Sequence, residues 1–149
     1  MIYLLSDPHG DINHKGLKQY LSEAGKDDLL ILLGDICMKF EDTEENRIFT
    51  EWFLSSDKKI AFIDGNHENF KLLNKFPITN MFNAKMHLIA QNIYHVMRGE
   101  IMIINDLKFL CIGGAVSIDK IYRKKGVSYW DEENISKKDI DYEEGCFSL

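Results

Sequence analysis

The stretch Asp64-Gly65-Asn66-His67-Glu68 directly follows the short apolar run at residues 60–63. A run of this length that ends at a glycine turn predicts a buried strand. The strand therefore delivers an amide, an imidazole and two carboxylates to its carboxyl end, where open α/β sheets bind their ligands. These side chains can bind metal ions, so we expect the functional site at this edge of a sheet.

Two earlier apolar runs end in the same way. Residues 1–5 lead into Asp7 and His9, and residues 29–33 lead into Asp35. Parallel strands in such a sheet present their carboxyl ends at one edge, so the three sets of side chains should meet there. The candidate site residues at this edge are Asp7, His9, Asp35, Asn66 and His67.

Helical patterns separate these three strands. Apolar residues recur at helical spacing over residues 15–24, and Thr43 is placed to cap a second helix. The apolar face predicted for the second helix consists of Ile48, Phe49, Trp52 and Phe53. Strand, helix and strand in this order predict two consecutive βαβ units, and hence a parallel βαβαβ first half.

The second half of the chain changes character. After a short helix that Pro77 ends, apolar runs at residues 93–97, 100–104 and 108–112 are separated by short turn sequences. This pattern predicts an antiparallel meander, followed by a polar loop and a last short helix that Ser136 caps. The predicted fold class is α/β, a parallel first half followed by the meander.

Composition limits the protein class. A chain of 149 residues that is 45% hydrophobic can form one domain, 1–149, with a substantial core. Its net charge of −6 makes strong nucleic-acid binding unexpected, and no apolar run is long enough to span a membrane. The three cysteines form no close pair, and no leader segment precedes the first strand, so we expect reduced thiols in a cytoplasmic protein.

The residue types at the strand ends suit metal-assisted hydrolysis. Asp7 and His9 are two positions apart and project to the same side of an extended backbone. Asp35 has two oxygens that can bridge two ions, and Asn66 adds a neutral amide oxygen. This mixture suits manganese, iron or zinc better than calcium. His67 would stabilise the transition state or protonate the leaving oxygen.

Taken together, Asp7-x-His9, Gly34-Asp35 and Gly65-Asn66-His67-Glu68 resemble the calcineurin-like metallophosphoesterase superfamily. The resemblance implies a sandwich fold and two divalent metal ions. It also implies an enzyme that hydrolyses a phosphomonoester or phosphodiester substrate by attack of a metal-bound hydroxide. Asp7, His9 and Asp35 fall at the first metal, Asp35 and Asn66 fall at the second, and His67 falls at the catalytic position.

The sequence departs from that family downstream. The family continues with a lone histidine and a Gly-His-x-His block, whereas the histidines after His67 are His87 and His95, which fit neither. We therefore expect a C-terminally shortened member with an incomplete second sheet, an incomplete second metal site and exposed apolar surface that favours a homo-oligomer. The alternative is a catalytically impaired remnant that acts as a metal-binding or interaction module.

Two arginines are candidates for holding a phosphate group. Arg98 follows a predicted strand, and Arg123 lies in the polar loop. Each carries a guanidinium that can bind phosphate oxygens bidentately. A generic nucleotide-binding domain is disfavoured, because neither a G-x-G-x-x-G motif nor a P-loop is present.

Overall fold

The computed structural model describes residues 1–39, 43–137 and 139. The α-helices are α1 (Lys15–Glu23), α2 (Glu44–Leu54) and α3 (Phe70–Leu73), and two short 3₁₀ helices follow at Lys120–Tyr122 and Asp131–Glu133. The strands are β1 (Ile2–Ser6), β2 (Leu29–Leu33), β3 (Lys59–Ile63), β4 (Ile78–Met81), β5 (Ala84–Ala90), β6 (Ile93–Val96), β7 (Glu100–Ile104) and β8 (Leu107–Cys111). Cys146 and most of the helix predicted after Ser136 lie outside the described residues.

The larger sheet has six strands in the order β1-β2-β3-β6-β5-β4. Strands β1, β2 and β3 are parallel, with Ile2 opposite Leu29 and Leu29 opposite Lys59. The parallel βαβαβ unit predicted from the sequence is therefore confirmed. Strand β6 continues the parallel set beside β3, and β5 and β4 complete the sheet in antiparallel orientation. The α/β fold class is confirmed as a mixed sheet.

The predicted three-stranded meander is wrong, because its first strand does not pair with the other two. Strand β6 belongs to the larger sheet, while β7 and β8 form a separate antiparallel pair. All four residues of β6 are buried, as expected for a strand covered on both faces, whereas β7 and β8 are partly exposed. The β4–β5 hairpin, whose turn residues Phe82 and Asn83 both have positive φ, was not predicted from the sequence.

Alternating residues of the central strands build two apolar layers. Leu30 and Leu32 of β2 face α1 and α2, whereas Leu29 and Ile31 face the β7–β8 pair. The helix layer includes Leu17, Tyr20, Phe49, Phe53, Phe62 and Ile93, and the opposite layer includes Ala61, Met86, Tyr94, Val96, Met102 and Ile104. The sheet is therefore covered by helices on one face and by a two-stranded sheet on the other.

Helix α2 is capped as predicted, but one of the residues that were predicted to be buried on it is exposed. Thr43 Oγ1 accepts a hydrogen bond from the Asn46 backbone N–H at 3.2 Å, as an N-cap does. Phe49 and Phe53 are fully buried, whereas Ile48 is 46% exposed. The prediction for Ile48 is wrong because its position on the helix turns it away from the sheet.

Apolar side chains remain exposed where the second sheet ends. Leu4 lies opposite Ile31 in the parallel register, on the side of the β7–β8 pair, yet it is 59% exposed. In the part of the chain that the structure describes, the second sheet has two strands and does not extend across to β1, as expected for an incomplete second sheet. Among the described residues, no helix is long and apolar enough to cross a bilayer.

Candidate metal centre

The loops after β2 and β3 approach each other closely, and two glycines permit this. A Cβ atom on Gly65 would lie 2.1 Å from Asp35 Oδ1, and one on Gly34 would lie 3.2 Å from the Gly65 Cα. Any side chain at position 65 would therefore displace the Asp35 carboxylate. This steric requirement explains why glycine precedes both Asp35 and Asn66 in the sequence.

The predicted ligands occupy an unusual backbone conformation. Asp7, His9 and Asp35 have φ angles of 49°, 47° and 52°, a left-handed region that few residues other than glycine adopt. The His9 backbone N–H donates to the Asp35 carbonyl oxygen at 2.9 Å, which ties the first loop to the second. Backbone conformations of this kind cluster at ligand sites, where the surrounding structure compensates for their cost.

Asp7, His9 and Asp35 come together as predicted. One ligand atom from each residue lies within 4.8 Å of the others, and His9 Nε2 lies 3.6 Å from Asp35 Oδ2. The His9 side chain is 52% exposed, so the cluster is accessible from solvent, while the Asp35 side chain is only 10% exposed. Two carboxylates and an imidazole at this spacing fit a divalent cation.

His67 lies beside this cluster. Its backbone N–H donates to Asp35 Oδ1 at 3.0 Å, and its ring stands edge-on to that of His9, with the centroids 5.2 Å apart. Arg123 Nη2 contacts His67 Nε2. Because a guanidinium only donates hydrogen bonds, Nε2 is the unprotonated nitrogen and the neutral ring carries its proton on Nδ1.

The pKa of His67 is lowered from its usual value. Burial is the largest cause, and the positive charge of Arg123 is the next, while the Asp35 carboxylate acts in the opposite direction. Both the pKa direction and the Arg123 contact therefore favour a neutral imidazole that can donate a hydrogen bond from Nδ1.

Cys37 also reaches the cluster, although it was not predicted from the sequence as a site residue. Its sulfur lies 4.0 Å from His9 Nδ1, and the ligand atoms of His9, Cys37 and His67 lie within 4.8 Å of one another. Its place two residues after Asp35 is the signal that could have identified it. The thiol faces the opposite ring nitrogen of His9 from the one that faces Asp35.

Asn66 is held by residues from a distant part of the chain. Its Nδ2 donates to Ser117 Oγ at 2.9 Å, and Ser117 Oγ donates to Glu133 Oε2 at 2.7 Å. Ser117 lies in the predicted polar loop, whereas Glu133 was not predicted to belong to the site. Asp131, Glu132 and Glu133 are consecutive acids, so local sequence does not distinguish the buried one.

Glu68 connects the loops after β2 and β3 from inside the protein. It is 1% exposed, and its Oε1 accepts the Ile36 N–H at 2.7 Å and the Gly65 N–H at 3.5 Å. Burial raises the pKa of Glu68 to about 8. The residue therefore supports the two loops that carry Asp35 and Asn66.

The two arginines predicted to bind phosphate have different surroundings. Arg123 contacts His67 and also pairs with Asp119 at 2.9 Å, so it lies at the cluster. Arg98 donates from Nε to Asp64 Oδ2 at 2.8 Å and from Nη1 to the Asn134 carbonyl oxygen at 3.0 Å. Arg98 thus joins the end of β3 to the segment around Asn134, and its role in substrate binding stays a prediction.

Two buried histidines extend from Asp64 into the larger sheet. His95 Nε2 lies 3.2 Å from Asp64 Oδ1, and His95 Nδ1 lies 3.0 Å from His87 Nδ1. The hydrogen bonds and charges of His95 and Arg98 outweigh the effect of burial and lower the pKa of Asp64. These groups line a cavity of about 720 Å³ that was not predicted from the sequence.

Comparison with known proteins identifies a family whose members have sites of this kind. The profile of the calcineurin-like phosphoesterases matches residues 1–145. No curated protein and no solved structure shows a significant match to the chain. Proteins of this family typically hydrolyse phosphoesters and generally bind divalent metal ions. The chain therefore belongs to the calcineurin-like phosphoesterase family.

Proposed function

We propose that this protein is a metal-dependent phosphoesterase that hydrolyses a phosphomonoester or a phosphodiester. The observation that supports this most strongly is the convergence of Asp7, His9 and Asp35 at the carboxyl ends of parallel strands, with His67 and Arg123 beside them. A carboxylate and imidazole cluster next to a neutral histidine and a guanidinium suits phosphoryl transfer, in which most of the catalysis comes from positioning and charge stabilisation.

The donor set fits the metal ions that the family uses. Asp7, His9 and Asp35 would hold one divalent ion, and Asp35 together with Asn66 would hold a second, with manganese, iron or zinc as candidates. When bound, the ions supply positive charge for the phosphoryl oxygens and lower the pKa of a water molecule.

His67 and Arg123 would act on the substrate directly. The neutral His67 ring would donate its Nδ1 proton in a hydrogen bond to a phosphoryl or leaving-group oxygen. Arg123 would keep Nε2 of that ring occupied and would attract the phosphate through its own positive charge. The Asp35 carboxylate would hold His67 in place through the backbone N–H.

A catalytically impaired remnant that acts as a metal-binding or interaction module is the second candidate, and one specific observation favours the interaction role. Val116, Ile118, Ile121 and Tyr122 are 68%, 99%, 82% and 86% exposed, and they lie in the loop that carries Arg123. Exposed apolar groups at this density suit contact with another chain, and a homo-oligomer of a cytoplasmic protein is the form we expect.

A metal and substrate screen tests the proposed function. Purified protein would be assayed with manganese, zinc and iron(II) on p-nitrophenyl phosphate and on bis(p-nitrophenyl) phosphate. We expect turnover of at least one substrate, abolished by chelator and by Asp35→Asn, but retained by Asp27→Asn, which changes an exposed carboxylate outside the cluster. Failure of every combination, together with a defined oligomer in light scattering, would instead favour the interaction module.

A further inference from the structure

We propose that Ser117 and Glu133 are positioning residues that fix which end of the Asn66 amide faces the metal centre. This inference rests on the proposed function, because it treats Asn66 Oδ1 as a metal ligand. The three residues form a continuous hydrogen-bonded chain, with 2.9 Å between Asn66 Nδ2 and Ser117 Oγ and 2.7 Å between Ser117 Oγ and Glu133 Oε2.

The three partners of the Ser117 hydroxyl fix which hydrogen bond it donates and which it accepts. It offers one proton and two lone pairs, and it has three partners: Asn66, Glu133 and, at 3.3 Å, Arg123 Nη1. The guanidinium only donates, so it uses one lone pair. The carboxylate accepts, so it takes the hydroxyl proton. The second lone pair is then available to the Asn66 amide only as an acceptor of N–H.

Glu133 is itself fixed on both sides. It is 0% exposed, its Oε1 accepts the Trp130 backbone N–H at 3.1 Å, and Lys120 Nζ lies 3.8 Å from Oε2. A buried carboxylate is tolerated when hydrogen bonds and an opposite charge compensate for lost hydration. Glu133 therefore serves as a fixed acceptor that determines the direction of the chain of hydrogen bonds.

The direction of these hydrogen bonds decides how Asn66 is oriented, because the oxygen and the nitrogen end of an amide have almost the same shape. Only the hydrogen-bond partners determine whether oxygen or nitrogen faces a given side. With Nδ2 bonded to Ser117, Asn66 presents Oδ1 elsewhere, and only the oxygen can bind a cation. In the reversed orientation the same residue would present an NH2 group, which repels one.

Glu133→Gln reverses this chain at almost constant volume. The Trp130 N–H still needs an acceptor, so the glutamine oxygen takes that place and the glutamine NH2 points at Ser117. Arg123 and the new glutamine then use both lone pairs of Ser117, and the hydroxyl proton turns to Asn66. The Asn66 oxygen accepts that proton, and its NH2 faces the metal centre.

The test measures manganese affinity from the paramagnetic resonance signal of free ion, in four proteins and one control. We expect Glu133→Gln to weaken binding by about 10- to 100-fold, the usual effect of losing a group that orients a metal ligand. The Asn66→Asp variant has an acceptor oxygen on either side of its carboxylate, so adding Glu133→Gln to it should leave affinity unchanged or improved. Glu132→Gln, an exposed neighbouring change, should have no effect.

The inference would be overturned by wild-type affinity in Glu133→Gln, or by an equal loss on adding Glu133→Gln to the wild type and to the Asn66→Asp variant. The side-chain amide resonances of Asn66 in the metal-free proteins provide a readout that needs no metal. We expect contacts from the Asn66 NH2 protons to Ser117 in wild type and their loss in Glu133→Gln, and unchanged contacts would overturn the inference. Metal binding without turnover of any phosphoester would count against the proposed function alone.

Discussion

The His67 backbone N–H donates to Asp35 Oδ1 at 3.0 Å, so the histidine that follows β3 is fixed to the carboxylate that follows β2. The other oxygen of the same carboxylate faces His9 Nε2. Asp35 therefore holds the loop that carries His67, and we propose that it also binds a cation as a separable second task. Substitutions that remove one task or both can distinguish them.

Neither Asp35→Asn nor Asp35→Ala should bind metal, but the two variants should differ in stability. Asparagine keeps an oxygen for the His67 N–H, whereas alanine leaves that donor without its partner, which costs about 1 kcal/mol. Chemical denaturation in the presence of chelator measures the difference in the free energy of unfolding. Equal stability of the two variants would show that the hydrogen bond contributes nothing to the fold.

Much of this centre could be predicted because parallel strands end at one edge. Asp7, His9 and Asp35 each follow an apolar run within a few residues, so sequence order alone brings them together. Glu133 could not be found in this way. It lies in a single 3₁₀ turn at Asp131–Glu133, which is too short to show a periodic pattern, and it is joined to the site through Ser117, which bonds to Asn66 from 51 positions away in the chain.

In the fold, too, local sequence predicts some elements, and others depend on distant parts of the chain. Strands β1 to β3 were predicted because buried parallel strands appear as continuous apolar runs, whereas the place of β6 depends on its neighbours. β6 is buried on both faces because it lies between β3 and β5, where helices cover one face of the sheet and the β7–β8 pair covers the other, and no local pattern encodes that position. A hairpin with β7 was an equally reasonable reading of the turn at Gly99.

Arg123→Lys should impair turnover without unfolding the protein. Arginine contacts His67 and Asp119 together and also reaches Ser117, whereas a lysine ammonium cannot replace this planar set of donors. Losing a hydrogen bond from a charged group costs about 1.5–3 kcal/mol, so we expect kcat/KM to fall by roughly 10- to 100-fold.

Arg47→Lys is the matched control for that experiment. Arg47 pairs with Glu44 on the exposed side of α2, where ion pairs contribute little. Steady-state kinetics on the better of the two nitrophenyl substrates should show no change in this variant. An equal loss in both variants would mean that Arg123 has no special part in the reaction.

Phe49→Ala and Ile48→Ala should differ strongly although the two residues are neighbours on α2. Phe49 is 0% exposed and packs on Phe53 with the ring centroids 5.7 Å apart, whereas Ile48 is 46% exposed. Truncating a buried phenylalanine costs about 3–5 kcal/mol, and an exposed substitution usually changes stability by less than about 0.5 kcal/mol. Similar denaturation midpoints for the two variants would contradict the orientation of α2.

The buried histidine pair should make the protein less stable in mild acid. Burial is the main reason that the pKa of His87 is lowered, the neighbouring His95 is the second, and Asp64 opposes both. An unfolded chain binds the proton near pH 6.5, whereas the folded chain binds it only at lower pH. The contribution of His87 to stability is therefore complete above about pH 6.5 and is lost as the pH falls through the lowered folded pKa.

His87→Gln tests this account, because an amide can still donate to His95 Nδ1 but does not take up a proton in this range. Denaturant unfolding from about pH 8 down to about pH 5, with chelator present throughout, should show a smaller loss of stability in the variant than in wild type. The comparison depends on the difference between the two slopes, so the titration of groups common to both proteins cancels. Parallel slopes would mean that the pair carries no proton-linked cost and that acid sensitivity arises elsewhere in the fold.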